Sequence, residues 1–147
     1  MQKKNKVYIS TLVVFWIIFA FFILMVAGMY LGMYLPFLPF MGLPSIALIS
    51  LLGIALIVLA AKAKFTKISK AFLILTGSAS AGMGISVLLH NLIFGLFIKL
   101  FGEGFWERTG IGDEPVFFIL ATIICPLALL VGAIGSIVFI ARKKVLS

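Results

Sequence analysis

Four long runs of apolar residues dominate the chain, and short polar or proline-containing segments separate them. Each run exceeds the roughly 18 residues that a helix needs to cross a lipid bilayer. The runs cover residues 7–31, 37–61, 71–98 and 116–141. This pattern predicts an all-α integral membrane protein, in which residues 1–147 form a single bundle of four transmembrane helices.

The overall composition favours the same class. Apolar residues make up 64% of the chain and charged residues 11%, and the mean hydropathy is +1.33. A soluble domain has about 45–50% apolar and about 25% charged residues. Because this chain has too few polar residues to cover a water-soluble fold, we expect its surroundings to be the lipid bilayer.

The charged residues predict the orientation of the four spans. Three basic blocks, 3–6, 62–70 and 142–144, contain ten of the twelve Lys and Arg residues, and four spans put these blocks on one side. All four acids lie in the connection 99–115 on the other side. The positive-inside tendency then predicts a cell-membrane protein with both termini in the cytoplasm. The net charge of +8 is thereby explained without nucleic-acid binding.

The second basic block has two interpretations. Its four lysines, at positions 62, 64, 67 and 70, could bind lipid head groups, because they lie close to an anionic leaflet. Lysines that flank a span also orient and anchor it. The sequence favours the second interpretation, since flanking lysines have this effect by default.

The length of the third apolar run predicts that part of it extends beyond the hydrocarbon core on the outer side. A hydrocarbon core about 30 Å thick takes about twenty helical residues, so a helix that enters at Lys70 leaves near His90. Residues 92–101 are still apolar and can extend the third helix or lie in the interface as a short helix. Gly102 and Gly104 are expected to interrupt it. We therefore predict a short interfacial outer cap between helices three and four.

Small residues are concentrated in the third span, over residues 76–86. Small side chains let helix backbones approach in lipid, where no hydrophobic drive brings helices together. The predicted partner is helix four near Ser136. The candidate packing glycines are Gly28, Gly32, Gly77, Gly82, Gly84, Gly132 and Gly135.

Ser78, Gly82, Ser86 and His90 follow one another at i+4 and form a ridge that leads outward. The ridge could be the packing centre of the bundle or one wall of a polar crevice. A polar side chain near membrane depth is usually buried and hydrogen-bonded, so His90 could also tie the outer loop to the bundle. If a ligand site exists, its candidate residues are Ser86, His90, Asn91, Glu103 and Glu107.

The last span shows two further signals. Asp113, Glu114 and Pro115 are typical of a helix start, because negative charge suits the N-terminal dipole and proline suits the first turn. Pro126 is expected to kink this helix or to mark its effective start.

A weak repeat links the second and fourth spans. Ser50 and Gly53 follow Pro44 at offsets of six and nine residues, and Gly132 and Gly135 follow Pro126 at the same offsets. The match suggests two similar hairpins.

One histidine and one cysteine limit the chemistry that the chain can carry. A thiol relay needs two cysteines, a zinc site needs three or four ligands, and a bis-histidine haem needs two histidines. No catalytic residue, metal site or cofactor is therefore predicted. A contact between Cys125 and His90, or between His90 and an outer acid, is the remaining route to catalysis.

These observations predict a non-enzymatic assembly or accessory subunit. Its small-residue faces and its outer cap would contact other membrane subunits or a second copy of the chain. The alternative is a small transporter, or a binder of a lipid or small molecule, with a crevice beside helix three. A third hypothesis is a membrane enzyme that uses His90 and the outer-loop acids.

Overall fold

Every element in the described part of the chain is a helix. A computed structural model describes the backbone of residues 2–32 and 43–145 and the side chains of residues 6–28 and 44–142. The elements are α1 (Gln2–Gly32), α2 (Leu43–Lys62), α3 (Lys67–Phe101), α4 (Phe105–Arg108), α5 (Pro115–Ile119), a π-helical turn (Leu120–Ile124) and α6 (Cys125–Val145). Helices α1, α2 and α3, together with the continuous helix from α5 to α6, are each long and apolar enough to cross a membrane. The predicted number of such helices, four, is confirmed.

The helix ends differ from the ends of the apolar runs. Helix α3 begins at Lys67 and not at residue 71, because the side chain of Thr66 accepts a hydrogen bond from the Ser69 N–H and caps a first turn that contains lysine. It continues to Phe101, three residues past the predicted end of the third span. The predicted second span began at residue 37, and its residues 37–42 lie outside the described part of the chain.

Helix α3 is the centre of the bundle. Helices α2 and α6 pack on two different sides of it, and α1 packs mainly on α2. The helices therefore stand in the order α1, α2, α3, α6, with α1 and α6 as the flanks. The largest fully buried apolar side chains come from all four: Phe15, Ile18, Ile49, Leu56, Leu73 and Leu129.

Two glycines face one another where α2 crosses α3. A Cβ atom on Gly53 would lie 2.6 Å from the carbonyl oxygen of Gly77, and one on Gly77 would lie 2.8 Å from that of Gly53. Further along, a Cβ on Gly84 would collide with the hydroxyl of Ser50. The predicted partner of the small residues of α3 was helix four, whereas Gly77 and Gly84 face α2.

The contact between α3 and α6 uses two of the other predicted glycines. A Cβ on Gly132 would lie 2.8 Å from the backbone nitrogen of Thr76, and Gly135 lies against the ring of Phe72. Gly28 of α1 is half-buried, and the surroundings of Gly32 lie outside the described residues.

The contacts between α2 and α3 set their antiparallel register. Ser50 lies beside Gly84, and Ile57 lies beside Gly77. Continuing this register puts Pro44, near the first residue of α2, level with His90. Residues 91–101 of α3 then project about 16 Å past the start of α2. We call this end of the bundle, with residues 90–115, the cap end, and the end with Lys6, Lys62, Lys64, Lys67, Lys70 and Arg142 the lysine end.

The last helix changes its hydrogen-bonding pattern just before Pro126. The Cys125 N–H donates to the carbonyl oxygen of Leu120, five residues earlier. Pro126 has no N–H to donate, and its ring would clash with the carbonyl group four residues earlier in a regular α-helix. The wider π turn provides the space, and α6 begins one residue before the proline.

Candidate functional site

The polar contacts at the cap end are centred on His90. Its Nδ1 lies 3.2 Å from the backbone oxygen of Glu114 and 3.4 Å from Oε2 of the same residue, and its Nε2 lies 3.7 Å from Oδ1 of Asp113. Helix α3 supplies the histidine, and the turn before α5 supplies both acids. The side chain of Glu114 is buried, whereas that of Asp113 is half exposed. The imidazole thus connects α3 to the start of the last helix.

Glu114 also caps α5. Its carboxylate accepts hydrogen bonds from the N–H groups of Val116, at 2.8 Å, and Phe117, at 3.0 Å. These are N–H groups that a helix start leaves without partners, and Pro115 follows in the first turn. The helix start predicted from Asp113, Glu114 and Pro115 is confirmed.

The two carboxylates approach opposite nitrogens of the imidazole ring. A metal ion binds one ring nitrogen, so Asp113 and Glu114 are not arranged to share an ion with His90. Both oxygens of Glu114 already accept N–H groups. Among the described residues, no group of three or more His, Cys, Asp or Glu side chains could hold a metal ion.

An aromatic cluster continues outward from His90 on the same side of α3. The ring of Phe94 lies 6.2 Å from that of His90 and 5.8 Å from that of Trp106, to which it is almost parallel. The Trp106 Nε1–H donates to the carbonyl oxygen of Phe94 at 3.3 Å. Phe97 contacts both Phe105 and Trp106. Helix α4 therefore folds back onto α3.

Glycines at positive φ make this fold-back possible. Gly102 ends α3 with φ of 87°, and Gly104 precedes α4 with φ of 84°. Residues with a Cβ rarely adopt this region. Arg108 then donates to the carbonyl oxygen of Phe101 at 2.9 Å, which places a cation at the negative end of the α3 dipole. The predicted interruption at Gly102 and Gly104 is confirmed.

The side chains of three predicted ligand-binding residues form no hydrogen bond or ion pair with His90 in the described part of the chain. Asn91 is exposed, and its amide donates to the carbonyl oxygen of Val87 on its own helix at 2.8 Å. Glu103 and Glu107 are also exposed, and within the described part of the chain neither forms a hydrogen bond or ion pair with His90. The acids that approach His90 are Asp113 and Glu114, since the start of the last helix fixes their height beside α3.

The ridge from Ser78 to His90 does not form a continuous wall. Ser78 is exposed, Gly82 is half-buried, and Ser86 is buried. The thiol of Cys125 lies against Gly82, 3.0 Å from where a Cβ would be, and interacts with the side chain of Ser86. The ridge thus winds from the surface into the contact with the last helix, and Cys125 meets Ser86 and not His90.

The sequence also contains signals for two sets of contacts that it was not used to predict, those of the acids beside His90 and those of the glycines that face α3. Asp113 and Glu114 directly precede Pro115. The start of the last helix therefore determines their position along the axis of α3. Gly53 matches Gly135 in the offset from a preceding proline, and both positions lie on faces that contact α3. The two glycines therefore share a packing role on opposite sides of α3.

Comparisons with protein-family models, with curated proteins and with solved structures found no match to this chain.

Proposed function

We propose that this protein is a non-enzymatic, multi-pass membrane protein that acts as an assembly or accessory subunit, and that its cap end binds the partner. The observation that carries this proposal is the projection of α3 past the start of α2. Three leucines at i+4 spacing on this projection are exposed: Leu92 to 65%, Leu96 to 46% and Leu100 to 63%. Exposed apolar patches mark contacts with a protein or with a membrane. We assign the part of α3 that projects past α2 to a protein contact.

The small-residue faces are occupied within the chain. Gly53 and Gly77 lie against one another, Gly84 lies against Ser50, and Gly132 lies against Thr76. Because these faces already pack helices of the same chain, they are not available to another subunit. This supports the cap end, and not the glycine faces, as the partner surface.

Several polar groups of the helices have structural partners, and among the described residues the buried hydroxyl of Ser136 has none. The partnered groups support a role without catalysis. The hydroxyl groups of Thr11, Thr76 and Ser80 donate to carbonyl groups one turn earlier, at 2.7 to 2.9 Å. Glu114 caps a helix, and His90 contacts that cap. The transporter alternative requires Ser86 and His90 to face one space, whereas Ser86 is buried against Cys125.

The distribution of charge supports a cytoplasmic lysine end, with both termini in the cytoplasm. The described lysines of α1, α2 and the start of α3 lie at this end with Arg142, and the four acids lie at the cap end. Cytoplasmic segments carry the excess of Lys and Arg in membrane proteins. The cap end then lies on the extracytoplasmic side of a cell membrane.

Purification in mild detergent tests the assembly role. We expect a stoichiometric protein partner to co-purify with the wild-type chain and to be lost when Leu96 and Leu100 are both changed to Ser. A matched control is Leu51→Ser on α2, because Leu51 is exposed to 65%, like the cap leucines. The proposal is wrong if no stoichiometric partner is found, or if the cap variant keeps its partner.

A further inference from the structure

The outward face of α1 carries an apolar groove. The groove is open along its length and has a volume of about 550 Å³. Its lining residues are Ile9, Leu12, Val13, Trp16, Ile17 and Ala20. All six belong to α1, whose opposite face, with Phe15 and Ile18, is buried in the bundle. The groove therefore faces away from the other helices.

The length and position of the groove match one leaflet of a bilayer. From Ile9 to Ala20 the helix rises about 16 Å. This is about half of a hydrocarbon core that is about 30 Å thick. The groove begins at the lysine end, so it lies along the leaflet on that side. An extended acyl chain has the length and the apolar character that this surface requires.

Lys6 lies at the mouth of the groove, and Lys64 lies at the same end of the bundle. Lys6 precedes Ile9 by three residues and therefore lies on the same face of α1. The ring of Tyr8 stacks on that of Phe65, with centroids 4.7 Å apart and 27° between the planes. This contact holds the connection between α2 and α3 against α1, and Lys64 is the residue beside Phe65. Both lysines are exposed.

The charge at this mouth is not compensated by acids. The first acidic residue of the chain is Glu103, at the opposite end of the bundle. Lys70 differs from Lys6 and Lys64, because its amine donates to the carbonyl oxygen of Ala61 at 2.9 Å. The lysine end thus carries exposed cations beside the apolar groove, with Lys6 on the same face of α1.

We propose that the α1 groove and the exposed lysines beside it bind a phospholipid with an anionic head group. The acyl chain lies along Trp16, and the phosphate and the anionic head group contact Lys6 and Lys64. A second copy of the chain on this face would bring the same lysines together, and like charges in an interface are unfavourable. Charge therefore favours an anionic lipid as the occupant. This site is independent of the partner surface at the cap end.

Tryptophan fluorescence tests this lipid site directly. The chain has two tryptophans, so Trp106→Phe leaves Trp16 in the groove as the single tryptophan. The full-length variant is reconstituted in phosphatidylcholine vesicles that contain phosphatidylglycerol with brominated acyl chains, which quench tryptophan on contact. We expect stronger quenching than with the same mole fraction of brominated phosphatidylcholine. Changing Lys6 or Lys64 to Gln should lower this preference by about fivefold each.

Arg142→Gln provides a control of equal charge change. Arg142 is exposed at the lysine end and lies over the ring of Phe139, on the far flank of the bundle. It should leave the preference of Trp16 unchanged. Equal quenching by the two brominated lipids, or an equal loss in the Arg142 variant, contradicts the proposal.

A protein that covers the groove gives a different result. Neither lipid would then quench Trp16, and the lipid proposal would be wrong. Val13→Cys in a Cys125→Ser background would show, by disulfide crosslinking, whether that protein is a second copy. Should Trp106→Phe not fold, native mass spectrometry of the otherwise unaltered chain gives the same test. The unaltered chain should retain phosphatidylglycerol in preference to phosphatidylcholine. The double variant with Lys6→Gln and Lys64→Gln should lose this preference. Equal retention of the two lipids, or a preference that the double variant keeps, would contradict it.

Discussion

The hydroxyl of Ser50 joins two helices through backbone groups of α3. It accepts the N–H of Gly84 at 3.0 Å and lies 3.1 Å from the carbonyl oxygen of Ser80 and 2.7 Å from that of Ile46. Ser80 and Gly84 are four residues apart, so the hydroxyl lies between two groups that an α-helix pairs with each other. Its single proton serves one carbonyl at a time. This side chain therefore links α2 to α3 without burying a charge.

Substitutions at Ser50 and Gly84 should separate the hydrogen bond from the close approach. Ser50→Ala removes the bond and is expected to cost about 0.6 kcal/mol, the average for such bonds in membranes, and at most about 1.7 kcal/mol. Gly84→Ala should cost more, because its Cβ would collide with the Ser50 hydroxyl. The measurement is the free energy of unfolding in detergent.

The double variant distinguishes this geometry from two independent effects. Removing the hydroxyl relieves part of the collision, so Ser50→Ala with Gly84→Ala should lose less stability than the two single variants added together. Ser78→Ala, on an exposed position of the same helix, is the control and should stay within about 0.5 kcal/mol of the wild type. Strict additivity would contradict the close contact between the two residues.

Glu114 is the second residue whose contacts predict a measurable effect. Glu114→Ala removes the cap of α5 and should lower the free energy of unfolding by about 1 kcal/mol. The amides of Val116 and Phe117, which donate to this carboxylate, should exchange their hydrogens faster. Glu103→Ala is the control, since Glu103 is an exposed acid of the same loop. Unchanged exchange at both amides would show that the carboxylate does not cap the helix in the membrane.

At the scale of the helices, backbone approach determines how the bundle packs. Helices α2 and α6 contact α3 from two sides, each through a residue pair that follows a proline at the same offsets: Ser50 with Gly53, and Gly132 with Gly135. The offset of three residues keeps both members of a pair on one helix face. The repeat in the sequence therefore corresponds to two faces that pack on the same central helix.

Two glycine substitutions should have opposite effects on stability. Gly53→Ala places a methyl group 2.6 Å from the Gly77 carbonyl oxygen, so α2 and α3 must separate, and a loss of at least about 2 kcal/mol is expected. Gly95→Ala on α3 has nothing within 4 Å of the new Cβ. It should stabilise the chain by about 0.5–1 kcal/mol, since alanine is the better helix former. Thermal unfolding of the two variants in one detergent compares them, and equal effects would contradict the packing.

At the scale of the whole molecule, the two ends of the bundle differ in charge and in shape. The lysine end is basic and compact, with the short connection between α2 and α3 held against α1 by the contact between Tyr8 and Phe65. The cap end carries all the acids and projects along α3. This polarity supports an anionic lipid at one end and a protein partner at the other.

A topology reporter checks the orientation of the whole bundle. Gly110 lies in an exposed turn with φ of 73°, so an inserted reporter should be accommodated there. We expect the reporter at Gly110 to show extracytoplasmic activity. The same reporter fused after Ser147 should show cytoplasmic activity. A cytoplasmic reporter at Gly110 would reverse the proposed orientation.

The all-helical fold and the number of long apolar helices could be predicted from the sequence alone. So could the start of the last helix at Glu114 and Pro115 and the interruption of the cap at Gly102. These features depend on local properties: the length of an apolar run, the absence of a proline N–H, and the tolerance of glycine for positive φ. The physical cause lies within a few neighbouring residues in each case.

The tertiary structure decided which of these local features meet. Small residues lie on several faces of α3, so their pattern could not tell that Gly77 meets Gly53 of α2, or that His90 contacts Glu114 and not Glu107. Such pairs depend on the rotation and the relative height of helices that are distant in sequence. Those are set by how closely the backbones approach over the whole length of the bundle, which no single segment encodes.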